Sequence, residues 1–159
     1  MRRGFPSLPL AIARPDLHIT ALDSTAKKTA YVADAAKLLG LKNLETLTGR
    51  AEDLAQTLEY REAFDCTVAR AVASLPILCE LCLPFVKVGG KMLAMKAKLD
   101  ESESTLAPQT LGATPFERHE FTLKGTECNE TRLILLAQKQ RPTPKEYPRA
   151  YAQIKKKPL

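Results

Sequence analysis

The chain has 159 residues, of which 45% are hydrophobic and 26% charged, an ordinary globular composition with enough residues for one domain and a buried core. No apolar run approaches the roughly 20 residues that a membrane-spanning helix needs, and Pro6 and Pro9 interrupt the one early stretch that resembles an export signal. Four cysteines are too few for a disulfide scaffold of this size and are typical of a reducing compartment. We therefore predict a cytoplasmic protein without a membrane partner.

Positive charge is concentrated at the end of the chain. The net charge is +6, and residues 139–159 hold seven of the 24 Lys and Arg residues but only one of the 18 acidic residues. The rest of the chain is therefore neutral as a whole. We predict a folded domain over residues 1–138 and a basic C-terminal arm over 139–159, which favours a polyanionic partner such as RNA. A terminus that only improves solubility is the alternative.

Hydrophobic periodicity and capping signals predict alternating strands and helices along the chain. The predicted strands are Leu17–Asp23, Asn43–Thr48, Phe64–Ala69 and Lys91–Lys96, followed by an antiparallel pair, Phe116–Leu123 and Thr131–Ala137. The predicted helices are a short one capped by Ser7 and ending at Ala13, Thr25–Leu39, a short one opening at Arg50, Ser74–Val86 ended by Gly89-Gly90, and Asp100–Leu111. From Arg141 onward, several prolines and weak periodicity predict an extended arm outside the core. The alternation predicts an α/β fold with a doubly wound, mostly parallel sheet.

Polar side chains lie at the ends of three successive predicted strands: Asp23 at the first, Glu52 after the second and Arg70 after the third. Ligands bind at the carboxyl ends of strands in open α/β sheets, where a carboxylate is suited to accept both hydroxyls of a ribose. Gly4 lies 19 residues before Asp23, close to the interval of about 20 residues between a nucleotide-binding turn and that acid. The pattern predicts a cofactor pocket, although a surface salt bridge is the alternative role of Arg70. Nicotinamide is disfavoured because no G-x-G-x-x-G is present.

Cys79 and Cys82 form a C-x-x-C inside a predicted helix. A second pair is lacking in the sequence, and its only histidines are His18 and His119. We therefore predict buried or half-buried thiols and no metal site.

Five sequence blocks carry a family resemblance that runs from Gly4 to Leu159. They are Gly4-Phe5-Pro6-x-x-Pro9-Leu10-Ala11-Ile12, Leu22-Asp23-Ser24-Thr25, Gly49-Arg50-Ala51-Glu52, Ala69-Arg70-Ala71-Val72-Ala73-Ser74-Leu75, and Tyr147-Pro148-Arg149. In this order and spacing they resemble the RsmG family, also called GidB, of small-subunit (16S) rRNA guanine-N7 methyltransferases. The resemblance implies a class I methyltransferase fold, a Rossmann-like sheet, with S-adenosylmethionine (SAM, S-adenosyl-L-methionine) as cofactor. It also implies ribosomal RNA or a ribosomal subunit as partner, and we expect a monomer.

The resemblance also implies roles for individual residues. It implies that Gly4 and Phe5 bind SAM at the glycine loop, that Asp23, Ser24 and Thr25 bind the ribose and adenosine, and that Ala51 and Glu52 lie beside the adenine. It also implies that Arg70 binds SAM after the fourth strand of the family's sheet, which corresponds to the third predicted strand here. For RNA we add the cations and an aromatic of the arm together with a strand-end lysine. These residues are Lys96, Lys145, Tyr147, Arg149, Lys155, Lys156 and Lys157. A solvated strand-end lysine is the alternative for Lys96.

The chain departs from the family pattern at its beginning. Family members carry a D-x-G-x-G-x-G-F-P-G loop after a first strand, whereas this sequence starts inside that loop and has Ser7 in place of the last glycine. We therefore expect an N-terminally truncated sequence that lacks the first strand and most of the glycine loop. A non-catalytic RNA-binding fragment is the alternative function, and an organelle is the alternative location if a targeting segment was lost. We nominate no catalytic acid or base, because guanine N7 has no proton to remove.

Overall fold

The computed structural model describes residues 4–70, 72–97, 106–124 and 129–159. The chain divides into two compact units, Met1–Ala51 and Glu52–Leu159, which we describe separately. Among the described residues, every helix is too short or too polar to cross a membrane.

The first unit is a small α/β layer. Its elements are helix α1 (Ser7–Ala13), strand β1 (Ile19–Asp23), helix α2 (Ala26–Leu38) and strand β2 (Leu44–Thr48). The two strands are parallel and in register from Ile19 opposite Leu44 to Asp23 opposite Thr48. Both strands therefore end at the same edge. The core of the unit consists of Leu8, Ala21, Val32 and Ala36.

Gly4 fixes the start of α1. Its φ is +76°, a conformation that other residues rarely adopt, so a substitution there would be strained, and the Leu8 side chain would have to shift to make room for a Cβ. Its carbonyl oxygen accepts hydrogen bonds from the Leu8 amide at 2.8 Å and from Ser7 Oγ at 3.0 Å. The prediction that Ser7 caps the helix is wrong, because Pro6 occupies the cap position and the Ser7 hydroxyl donates back to Gly4.

The second unit holds a mixed four-stranded sheet. Short helix α3 (Ala51–Leu54) starts at the boundary between the units. The strands are β3 (Phe64–Arg70), β4 (Val86–Lys96), β5 (Glu117–Lys124) and β6 (Asn129–Gln138), in the spatial order β3-β4-β6-β5. β3 and β4 are parallel, whereas β6 is antiparallel to both β4 and β5. Helix α4 (Leu75–Cys82), a 3₁₀ turn (Leu83–Phe85) and helix α5 (Ala107–Thr110) complete the body of the unit.

One face of this sheet packs on α4. Leu75, Cys79, Met92 and Ala94 are all fully buried between the helix and the strands. Cys82 is half-buried, and burial raises the pKa of its thiol to about 12, so this thiol stays neutral. Both cysteines of the C-x-x-C are therefore buried or half-buried thiols, as predicted.

The α/β class with alternating elements is confirmed, and two boundaries are corrected. β1 pairs with β2, and β3 with β4, as the second with the third strand and the fourth with the fifth do in the Rossmann order. The predicted helix to Val86 ends at Cys82, because Pro84 lies in a 3₁₀ turn and β-branched Val86 already begins β4. Gly89-Gly90 lies inside β4 and ends no helix. Of the predicted helix Asp100–Leu111, residues 100–105 lie outside the described residues.

The C-terminal segment, defined as residues 139–159, is folded against the second unit. The prediction of an extended arm is wrong: helix α6 (Tyr151–Lys156) lies in this segment and packs on α4, with Ile154 fully buried. Local sequence patterns missed this docking because its hydrogen-bond partners are 53–92 residues away in the sequence.

Side chains that precede β3 satisfy the backbone of residues 143–148. The Arg61 guanidinium donates to the carbonyl oxygens of Tyr147 at 2.8 Å and of Thr143 at 2.9 Å. Glu62 accepts a hydrogen bond from the Thr143 amide at 2.6 Å, and Gln56 donates to the Pro148 carbonyl at 2.7 Å. Because these groups are paired, the segment does not need a strand partner to lie against the domain.

A buried lysine begins the segment. Lys139 has a fully buried side chain whose Nζ donates to the Leu83 carbonyl at 2.9 Å and to Thr143 Oγ1, and lies 3.2 Å from Glu62 Oε1. Burial lowers the pKa of Lys139 below its ordinary value, because the charged form loses its hydration. Glu62 itself has a φ of +50°, a conformation that costs a non-glycine residue about 1–2 kcal/mol, and these contacts hold it there.

We expect Gly112→Ala to destabilise the protein more than Gly89→Ala. Both glycines have positive φ, at +83° and +89°, so both substitutions carry the same backbone strain. Only at Gly112 would the new Cβ meet backbone, 2.5 Å from the Arg141 carbonyl oxygen, whereas Gly89 has nothing within 4 Å. The additional loss of unfolding free energy in urea should be about 1–3 kcal/mol. Equal losses for the two variants would contradict the tight approach of the C-terminal segment.

We also expect the stability difference between the wild type and Lys139→Met to depend on pH. The folded-state pKa of Lys139 is lowered, so between that value and the unfolded pKa near 10.4 the unfolded chain binds more protons. The unfolding free energy of the wild type, relative to Lys139→Met, should therefore rise with pH through this window. Urea titrations of both proteins from about pH 8 to about pH 10 test this. A difference that stays constant would show that Lys139 keeps its ordinary pKa.

Candidate cofactor site and nucleic-acid surface

Asp23 is a buried carboxylate at the carboxyl end of β1. Its residue exposure is 8%, and Oδ1 accepts a hydrogen bond from the Thr25 amide at 3.0 Å. Lys28 Nζ lies 3.4 Å from both carboxylate oxygens. Burial by itself would raise the pKa of Asp23, but the hydrogen bonds and nearby positive charges outweigh it and hold the pKa below its usual range. Asp23 is therefore an ionised acceptor at neutral pH.

Two contacts tie the ends of β1 and β2 together. Thr29 Oγ1 on α2 lies 2.6 Å from Thr48 Oγ1 on β2, and the Gly49 amide donates to the Asp23 carbonyl at 3.2 Å. The turn after β2 is thus held beside Asp23. Sequence reasoning missed Lys28 and Thr48. The position of Thr48 follows from the parallel register, in which it lies opposite Asp23.

The other predicted residues of the first unit surround this strand edge or begin α1. Ser24 and Thr25 are exposed, and Thr25 is the N-cap residue of α2. Gly4 is buried where α1 starts, Phe5 is 48% exposed, and Ala51 is half-buried at the start of α3. The structure therefore brings Asp23, Ser24 and Thr25 together in one turn.

In the second unit, two cations lie at the carboxyl edge of neighbouring parallel strands. Arg70 is the last residue of β3, is exposed, and lies opposite Met95 of β4. Lys96 follows Met95 and ends β4, half-buried. Since side chains alternate along a strand, Arg70 and Lys96 lie at the same edge but on opposite faces of the sheet. Glu52 is buried in α3 with an exposure of 7%.

The predicted RNA residues of the C-terminal segment fall into two groups. Arg149 is engaged with Glu80, whose fully buried carboxylate accepts from the Arg149 amide and Nε at 2.8 Å and from Nη2 at 2.6 Å. The Arg149 guanidinium also lies over the Tyr147 ring, 5.6 Å from its centre, and Tyr147 packs against the core. The other group is exposed and consists of Lys145, Lys155, Lys156 and Lys157. Tyr147 and Arg149 thus make contacts within the second unit, which the sequence did not predict.

Comparison with known proteins gives a consistent assignment. A family model described as rRNA small subunit methyltransferase G (GidB) matches residues 3–133. A protein named ribosomal RNA small subunit methyltransferase G from Deinococcus radiodurans is 46% identical over 149 residues, covering 92% of this chain and 58% of that protein. Proteins of the same name from Lactobacillus helveticus and Halalkalibacterium halodurans are 43% and 42% identical, covering 98% of this chain and 65% and 66% of their own lengths.

Solved structures of methyltransferases share the fold at low sequence identity. A geranyl diphosphate methyltransferase in complex with SAM has a TM-score of 0.62 at 11% identity, covering 86% of this chain and 74% of that chain. A putative methyltransferase from Thermoplasma acidophilum has a TM-score of 0.58 at 14% identity, covering 78% of this chain and 58% of that chain. These similarities confirm the class I methyltransferase fold.

The chain spans 58–66% of the length of the three relatives named above. The family match nevertheless covers most of its residues, from α1 to the middle of β6. On this match and on the identity to its relatives, the chain belongs to the rRNA small subunit methyltransferase G (GidB/RsmG) family.

Proposed function

We propose that this protein transfers the methyl group of SAM to guanine N7 in small-subunit ribosomal RNA. The observation that carries the proposal is the buried, ionised carboxylate of Asp23 at a strand end, in a chain of this family. Such a carboxylate readily accepts hydrogen bonds from ribose hydroxyls. Rossmann-like folds bind a ribose after their second strand, which corresponds to β1 here. A surface ion pair with Lys28 would explain Asp23 less well, because the Asp23 side chain is 6% exposed.

The residues present fit the adenosine part of the cofactor. Asp23 would accept the ribose hydroxyls, and Ser24 and Thr25 would line the same turn. Glu52 and Arg70 are proposed to bind as their family positions imply, together with Gly4, Phe5 and Ala51. SAM supplies an electrophilic methyl group on a sulfonium, and the chain's part is to bind and orient it.

The proposed reaction needs no general base. Guanine N7 has an in-plane lone pair and no proton to remove. A bound sulfonium would supply the methyl group: its S–CH₃ bond would break as the N–CH₃ bond formed, and the electrons of the broken bond would stay on sulfur. Catalysis then consists of holding donor and acceptor in line at short range. The half-buried Lys96 at the carboxyl edge would contact the RNA backbone near that edge.

A second candidate is a non-catalytic RNA-binding protein of the same family. The exposed lysines of the C-terminal segment favour RNA binding whether or not methyl transfer occurs. We further propose a monomer that works in the cytoplasm, because ribosomal RNA is the target.

One assay separates the two candidates. Small ribosomal subunits are incubated with radiolabelled SAM, and 7-methylguanosine is identified by mass spectrometry. Label in another nucleoside would contradict methylation at N7, and the absence of label would favour the non-catalytic candidate.

Asp23→Asn should weaken SAM binding about 10–100-fold, because a charged acceptor of two ribose hydroxyls becomes a neutral amide; this corresponds to about 1.5–3 kcal/mol. Isothermal titration calorimetry of SAM measures the change. Asp34→Asn, an exposed residue of α2, is the matched control and should leave the affinity unchanged. Equal affinities for the two variants, with unchanged melting temperatures, would remove Asp23 from the site.

A further inference from the structure

The cations of the C-terminal segment are not equivalent in the folded protein. Lys139 is buried against Glu62, and Arg149 is bound by Glu80, so these two charges are compensated inside the unit. The remaining basic residues are exposed, and the segment has one acidic side chain, Glu146, which is also exposed. They are Arg141, Lys145, Lys155, Lys156 and Lys157. We call these five exposed residues the basic surface of the segment.

The contacts that hold residues 139–148 of the segment lie at the amino edge of the parallel strands. Gln56, Arg61 and Glu62 precede β3, and the carbonyls that bind Lys139 belong to Leu83 and Val86, where β4 begins. The backbone pairs in the same place, because the Gly89 amide donates to the Lys139 carbonyl at 2.8 Å. Arg70 and Lys96 lie at the opposite, carboxyl edge of these strands.

The two edges are separated by the length of a strand. β3 has seven residues from Phe64 to Arg70, and at about 3.3 Å per residue its ends are about 20 Å apart. The target nucleotide of a methyl transfer at the carboxyl edge cannot also contact Lys145, which lies between the anchored residues Thr143 and Tyr147. Lys157 also lies away from that edge, because its carbonyl accepts a hydrogen bond from Arg149 Nη2 at 3.1 Å. Arg149 is bound to Glu80, near the end of α4 that leads into β4. A nucleic acid that contacts both edges must therefore extend over about that distance.

We propose that the basic surface of the C-terminal segment is a remote anchor for the phosphate backbone of a folded RNA helix, separate from the nucleotide that reacts. The proposal rests on the proposed function for its substrate class. Lysine ammonium groups recognise phosphates without reading the base sequence. Hydrogen bonds from Arg61, Glu62 and Glu80 hold the segment against the unit in the absence of RNA. RNA binding therefore immobilises fewer groups than it would for a flexible arm, and loses less conformational entropy.

The test compares two triple variants that remove the same charge. Lys155, Lys156 and Lys157 are changed to Gln in one, and Lys27, Lys37 and Lys42, exposed lysines of the first unit, in the other. Binding of a fluorescein-labelled RNA duplex of about 20 base pairs is measured by anisotropy between about 50 and 200 mM KCl. Because the first variant lacks three ammonium groups that would neutralise phosphates, its log–log salt slope should flatten by about 2–3, whereas that of the second should stay within about one of the wild type.

Equal slopes for the two triple variants would overturn the anchor, and so would a wild-type protein that does not bind the duplex. In the methyl-transfer assay on small ribosomal subunits, the 155–157 variant should raise KM and leave kcat unchanged, because the surface lies away from the reacting atoms. A matching fall in kcat would place these lysines at the reaction and contradict the remote position. If the slopes differ as expected but the wild type transfers no methyl group, the proposed function fails while the anchor stands.

Discussion

The buried carboxylate of Glu80 requires a charged, hydrogen-bonded partner, and the C-terminal segment supplies it. Glu80 is fully buried in α4, and a buried charge is tolerated only when it is paired and hydrogen-bonded. Three N–H groups of Arg149 supply that compensation, two from the guanidinium and one from the backbone. Because Arg149 lies 69 residues later in the chain, the core around α4 is complete only when the C-terminal segment is docked.

The same logic sorts the positive charges of the chain. Sequence composition counts all seven basic residues of the C-terminal segment alike, but Lys139 and Arg149 are needed to neutralise Glu62 and Glu80. Removing either cation would leave a buried or half-buried carboxylate without its partner, so these two residues belong to the stability of the fold. For the remaining basic residues of the segment, no ion pair is seen in the part of the chain that the structure describes, and their side chains are exposed to solvent.

Part of this was predictable from local pattern. The positions of Asp23 and Arg70 at strand ends follow from alternating apolar residues that stop at a polar one, and the structure has strands ending at both. The thiol of Cys79 was predictable for the same reason, since it lies on the apolar face of a helical pattern. The end of α4 and the docking of the C-terminal segment were not, because Pro84 can sit in a helix turn or a 3₁₀ turn, and hydrogen bonds such as Arg61 to Tyr147 join residues 86 positions apart.

Parallel strands give the two edges of the second unit different physical roles. Their carboxyl ends bring Arg70 and Lys96 to one edge, because these are the last residues of β3 and β4. This is the edge at which α/β sheets bind ligands. The chain enters β3 and β4 at their amino ends. There the C-terminal segment forms hydrogen bonds with the carbonyls of Leu83 and Val86. It also bonds with the side chains of Gln56, Arg61 and Glu62. The hydrogen bonds at the amino edge and the two cationic residues at the carboxyl edge therefore both follow from the direction of the strands. The strand direction that builds a ligand-binding edge also leaves polar backbone at the far edge, and in this family member the last 21 residues of the chain satisfy it.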